Sequence, residues 1–206
     1  MTKEFGWIQV LSGISFTLPQ NQSIGILGRN GAGKSTLMRI LSGMDIPDSG
    51  TVDIGNARLS WPLGANAGLH GSLTGRENIK FICRIYDEDF DLVFNKVEEF
   101  AELKEYMHMP IKTYSSGMKS RLAFGISMAI NFDTYLIDEG FSAGDARFRA
   151  KTKVIFAEKR KTANIIVVSH NPNIIRDYCD IAGILENGKL TIVNDLNEAI
   201  KIYQSL

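Results

Sequence analysis

The chain has 206 residues, room for about one or two ordinary domains, and 44% of them are apolar, ample for a packed core. Basic and acidic residues balance at 23 each with no basic stripe, which argues against nucleic acid as a partner. Cys83 and Cys179 lack metal-ligand spacing and read as reduced thiols, no signal-peptide pattern opens the chain, and no apolar run approaches the ~20 residues that span a bilayer, which excludes a membrane pore.

Ile14, Phe16 and Leu18 alternate with polar residues before the turn-forming run Pro19 to Gln22, which predicts a β-strand. A second strand is predicted over the apolar run Ile24 to Leu27, followed by Gly28, Arg29, Asn30, Gly31, Ala32, Gly33, Lys34, Ser35 and Thr36. This run has the spacing G-x-x-x-x-G-K-[ST], and Leu37, Ile40 and Leu41 continue it at helical intervals. Strand, loop and helix together separate it from a chance glycine-rich turn. Glycines let the backbone take positive φ and bring N–H groups close to an anion, and the helix start adds its positive dipole end. Lys34 is placed to reach the β- and γ-phosphates of ATP or GTP, and the Ser35 hydroxyl to ligate Mg²⁺.

From Ser72 to about Ile130 the pattern is mostly helical, with Ile79, Ile82 and Ile85, then Leu92, Val93, Val97 and Phe100, and with a break at Pro110. Tyr114-Ser115-Ser116-Gly117-Met118-Lys119-Ser120-Arg121 leads into an apolar helix that carries Leu122, Phe124 and Ile126. Ser115, Ser116 and Gly117 at such a helix start offer exposed N–H donors to an anion, and in isolation they equally describe a serine cap.

Thr134 to Ile137 is a short apolar strand that ends in Asp138-Glu139. Carboxylates at the C-terminal end of a strand sit where open α/β sheets bind ligands. Asp138 is assigned to Mg²⁺ and Glu139 to polarising the attacking water, since a general base must be a carboxylate near the γ-phosphate. Strand and helix then alternate: Ile165 to Ser169 followed by His170, a helix after Pro172, Ala182 to Leu185, a turn at Asn187-Gly188, Leu190 to Val193, and a last helix from Leu196. The whole reads as one α/β domain over 1–206, a core from 1–71 and 131–206 with a helical subdomain, 72–130, inserted in it.

In this motif order the sequence resembles the ATP-binding-cassette ATPases, whose signature L-S-G-G-Q occupies the place of Tyr114 to Met118. Ser115 and Gly117 match its serine and second glycine, while Tyr114, Ser116 and Met118 depart from the commonest form. The resemblance implies an ABC-type P-loop NTPase core with an inserted helical subdomain and an N-terminal antiparallel β part, with ATP and Mg²⁺ as cofactors. It implies that Ser142 to Asp145 form the loop that crosses to the partner subunit, with Asp145 near the nucleotide, and that His170 is the switch histidine at the γ-phosphate. It further implies a homodimer, each ATP clamped between Lys34 of one subunit and Ser115 and Gly117 of the other.

Trp61 to Gly64, Gly71 to Ile79 and Phe81 to Tyr86 resemble more narrowly the ATPase subunits of Gram-negative capsular polysaccharide exporters. Membership implies a separate integral-membrane permease of the ABC-2 type, a polysaccharide exporter complex, and a peripheral place at the cytoplasmic face of the inner membrane. It also suggests that the surface around residues 65 to 85 receives the permease's coupling helix, although Phe81 and Ile82 equally suit a core. Three departures stand out. His70 occupies the place of the family's glutamine near Mg²⁺ and water, and an imidazole titrates near neutrality. The aromatic residue that stacks on adenine is replaced by Phe5 or Trp7, or the stacking is weak. No carbohydrate-binding domain follows, which leaves substrate recognition to the permease and argues against the O-antigen exporters that carry one. The rival readings are a P-loop kinase, which has no use for Ser115 to Gly117, a non-transport cassette protein, which is expected to show tandem cassettes, a coiled coil or a basic surface, and the same transport role for O-antigen, teichoic acid or another glycolipid.

Overall fold

The computed structural model describes residues 8–19, 22–63, 68–138 and 146–206. In chain order the elements are β1 (Ile24–Leu27), α1 (Lys34–Leu41), α2 (Gly75–Tyr86), α3 (Phe90–Ala101), α4 (Ser116–Ala129) and β2 (Thr134–Ile137). They continue with α5 (Ala146–Lys159), β3 (Asn164–Ser169), α6 (Pro172–Tyr178), β4 (Ile181–Glu186), β5 (Lys189–Val193) and α7 (Leu196–Ser205). The chain divides into two compact units, Met1–Asp53 with Ile165–Leu206, and Ile54–Asn164.

In the first unit β1 lies between β3 and β4, parallel to both. Every residue of β1 is buried, which is why its sequence is an unbroken apolar run rather than an alternating one. Helix α6 packs on β1 so closely that a Cβ on Gly25 would lie 2.3 Å from Ile175 Cγ2, and only glycine fits there. Strand β5 returns antiparallel to β4 through Asn187 (φ 49°) and Gly188 (φ 75°), the two-residue turn whose twist suits a hairpin. Helix α7 starts at an Asp195 cap, whose Oδ1 accepts from Glu198 N–H at 2.8 Å. Its stripe Leu196, Ala199, Ile200 and Tyr203 is the covered one, at helical spacing, and the helix packs on β4 and β5.

The strand expected around Ile14 to Leu18 does not form. Ile14, Phe16 and Leu18 are half-buried between exposed neighbours, so the period of two is real, yet no strand is assigned over residues 8–19. Alternation decides which side chains face the protein, whereas a strand also needs a neighbouring backbone in register. The bond from Ser12 N–H to Gly188 O, 2.7 Å, ties this segment to the β4–β5 turn.

The second unit contains the stretch 72–130 with α2, α3 and α4. Thr74 and Glu77 form a reciprocal capping box at the start of α2: Glu77 N–H donates to Thr74 Oγ1 at 3.1 Å, and Thr74 N–H to Glu77 Oε2 at 2.8 Å. The bond from the Thr74 backbone N–H, with the Thr74 hydroxyl beside it, holds the Glu77 carboxyl below its ordinary range. Helix α4 is buried from Leu122 to Ala129 without a polar face, as a central helix must be. Phe100, Phe124 and Phe148 stack around it, Phe100 lying 4.9 Å from Phe124 and 5.1 Å from Phe148 between ring centres. Alongside β2, Leu59 and Leu63 pair in parallel with Thr134 and Ile137.

Candidate functional site

In the first unit the loop between β1 and α1 is shaped as an anion cradle. Gly31 (φ 85°) and Gly33 (φ 100°) hold left-handed backbone that other residues rarely adopt, and Gly33 caps α1. The Lys34 ammonium is folded back on the loop, donating to Gly28 O at 2.8 Å and Arg29 O at 3.1 Å, and the residue is only 7% exposed. A cation at the centre of a glycine loop, beside a helix N-terminus, is the donor set a triphosphate requires.

The register of the sheet sets His170 next to this loop. Leu27 is opposite Ser169 on the parallel neighbour, so Gly28 and His170 are the residues that leave two adjacent strand ends. The turn after β3 is tightly held: Asn171 N–H donates to Ser169 Oγ at 3.0 Å, and Asn173 N–H donates to Asn171 Oδ1, also at 3.0 Å. Tyr203 of α7 donates its hydroxyl to the backbone carbonyl of His170 at 3.3 Å.

In the second unit, Asp138 follows β2, with its N–H on Leu63 O at 2.9 Å. His70 is held through Asn78, whose side chain is fully buried at 0% exposure. Asn78 Oδ1 accepts from His70 N–H at 2.7 Å, and Asn78 Nδ2 donates to Thr74 O at 2.8 Å and to His70 O at 3.2 Å. The strip before Ser115 closes on the same loop: Lys112 N–H donates to Gly71 O and Ile111 N–H to Leu73 O, both at 2.9 Å. His70 and Ser115 thus stand at the two ends of one hydrogen-bonded patch. Ser115 caps α4, its Oγ accepting from Met118 N–H at 3.3 Å, and Ser115 and Ser116 are exposed at the tip of an otherwise buried helix. Tyr114, the departure from the common leucine, buries its ring and donates its hydroxyl to Tyr106 O, which satisfies the polar tip.

The two residues left open between core and surface separate cleanly. Ile82 is core at 6% exposure, whereas Phe81 (50%) and Ile85 (56%) lie one turn apart on the outer face of α2. Glu139, the loop Ser142 to Asp145, and both Phe5 and Trp7 lie outside the described residues. Two residues escaped the sequence reading. Asn78 is a polar side chain in the buried stripe Gly75, Asn78, Ile79, Ile82, and a polar residue in such a stripe signals a buried bracket. Tyr203 is an aromatic with a polar tip at the end of the α7 stripe, a weaker signal. Replacing Asn78 by alanine removes a fully buried side chain together with its bonds to His70 and Thr74, and is expected to lower stability by about 2–3 kcal/mol, a fall of roughly 5–10 °C in melting temperature. Thermal unfolding of the variant checks this, and a melt superimposable on wild type would refute the bracket.

A family model described as ABC transporter matches residues 11–142. The chain is 50% identical over 198 residues to the ATP-binding protein BexA of Haemophilus influenzae, covering 96% of this chain and 91% of that protein. It is 49% identical over 201 residues to the capsule polysaccharide export ATP-binding protein CtrD of Neisseria meningitidis serogroup B, covering 98% and 93%. Among solved structures, a dimeric ATP-binding cassette in a post-hydrolysis state, bound to ADP and Pi, superposes with a TM-score of 0.76 at 20% identity over 90% of each chain.

Proposed function

Because this chain belongs to the ATP-binding proteins of ABC transporters, we propose that it is the ATP-hydrolysing subunit of an exporter that drives capsular polysaccharide, as a lipid-linked glycan, across the inner membrane. The observation that carries this reading is near-half identity, over almost the whole of both chains, to a capsule polysaccharide export ATPase, together with a phosphate loop whose lysine is set to exchange two carbonyls for phosphates.

ATP supplies the γ-phosphate bond whose hydrolysis drives the cycle. The loop Gly28 to Thr36 holds its phosphates, Lys34 placing a point charge at the β- and γ-positions. Ser35 and Asp138 would supply oxygen donors to Mg²⁺, which would neutralise charge on the phosphates. Glu139 activates the water and His170 meets the γ-phosphate. Ser115, Ser116, Gly117 and Asp145 serve the nucleotide of a second copy, so the working unit is a homodimer; the dimeric cassette of the same fold supports it.

No helix among the described residues is long and apolar enough to cross a membrane. The subunit acts at the cytoplasmic face of the inner membrane, on an ABC-2 permease. Phe81 and Ile85, flanked by the exposed Lys80 and Arg84, offer the outer face of α2 to that partner. Phe81→Asp with Ile85→Asp is expected to reduce co-purification with the permease at least about tenfold while the isolated subunit keeps its melting temperature and basal ATPase. Undiminished co-purification would remove α2 from the interface.

The deciding experiment measures surface polysaccharide in a strain that lacks this chain, complemented with wild type or with Glu139→Gln. Loss of surface polymer with accumulation inside the cell, rescued by wild type alone, is the expected result. An unchanged surface would overturn the capsule assignment.

A further inference from the structure

We infer that Tyr203, on the last helix, is a positioning residue for hydrolysis, fixing the peptide on which His170 stands. The inference rests on the reading of His170 as the γ-phosphate contact. A peptide unit is rigid and planar, so two bonds at its opposite ends define its orientation. The unit between His170 and Asn171 has both. Its N–H end donates to Ser169 Oγ at 3.0 Å, and its carbonyl accepts the Tyr203 hydroxyl at 3.3 Å.

The two anchors refer the peptide to the sheet by separate routes. Ser169 is the last residue of β3 and 1% exposed, so its hydroxyl is fixed by the strand beside β1. Tyr203 belongs to α7, held on β4 and β5 by the buried Ala199 and Ile200. Helix α7 is thereby connected to a residue leaving the strand end next to the phosphate loop, although it stands at the far end of the sequence. Losing the Tyr203 hydroxyl leaves the ring packed and releases the carbonyl, so the imidazole samples orientations that do not meet the γ-phosphate. Misplacement of a reacting contact costs rate rather than ground-state affinity.

The test is Tyr203→Phe in the purified full-length chain, with steady-state ATP hydrolysis, binding of a fluorescent ADP analogue, and thermal melts. A fall in kcat of about threefold to tenfold is expected, with KM for ATP and ADP affinity within about twofold of wild type and the melting temperature unchanged. A packing role alone would move the melt and leave kcat. The same substitution in a His170→Ala background is expected to leave the residual turnover where it is, because the residue acts through His170. Wild-type kcat in Tyr203→Phe, or an equal loss in the His170→Ala background, overturns the inference. Wild-type hydrolysis by His170→Ala alone would instead remove the reading of His170, and the two failures are told apart by that single variant.

Discussion

Lys34→Ala is expected to reduce ATP turnover by at least about a hundredfold, and to weaken ATP binding by at least about tenfold in calorimetric titration. The ammonium is nearly buried in the phosphate loop, the residue being 7% exposed, and it donates to Gly28 O and Arg29 O. Bonds from an ammonium to charged phosphate oxygens are stronger than bonds to neutral carbonyls, so a triphosphate is a better acceptor than Gly28 O and Arg29 O. Alanine removes the ammonium and its bond to the Gly28 carbonyl, so a modest loss of stability accompanies the loss of binding. Lys34→Arg is expected to fail as well, since a planar fork cannot follow the path of a point charge inside the loop. Wild-type affinity for ATP in Lys34→Ala would refute the assignment of the loop.

The second large effect belongs to Glu139→Gln. Glutamine keeps the size and polarity of glutamate but cannot take a proton, so the cradle stays intact while the attacking water loses its base. Turnover is expected to fall by about a hundredfold to ten-thousandfold with ATP binding preserved, and ATP is expected to shift the chain to the dimer in gel filtration. The position of the neighbouring Asp138, its N–H on Leu63 O at the end of β2, anchors the start of this segment. A variant that hydrolyses at the normal rate would mean that another group orients the water.

What the sequence disclosed follows from the range of the interactions involved. The turn from β1 into α1 is local: strand, glycines and helix lie within one short run, so residue types and spacing were enough to place it. The same holds for the hairpin at Asn187-Gly188 and for the Ser115 cap, where backbone conformation is set by the residues themselves. The strand expected at Ile14 to Leu18 failed because a ladder depends on a partner that no local pattern specifies. Phe81 and Ile82 stayed ambiguous for a related reason: both are apolar and adjacent, and only the packing of α2 on α3 decides which turns inward. Asn78 and Tyr203 were invisible as functional residues since their partners, backbone groups of His70 and His170, are defined by tertiary placement and carry no residue identity.

The gap at Gly25 has a consequence for inheritance. The two atoms nearest an added Cβ, Ile175 Cγ2 at 2.3 Å and Cδ1 at 2.7 Å, belong to a side chain that is itself completely buried on α6, only a few residues beyond His170. What position 25 can accept therefore depends on position 175. A lineage that acquires alanine at 25 first carries a lesion, because α6 must lift from β1, and it recovers only when the isoleucine has been trimmed. The permitted path runs the other way, shortening at 175 before growth at 25. A strand and the helix that follows His170 are thus bound in the order in which their mutations can be accepted.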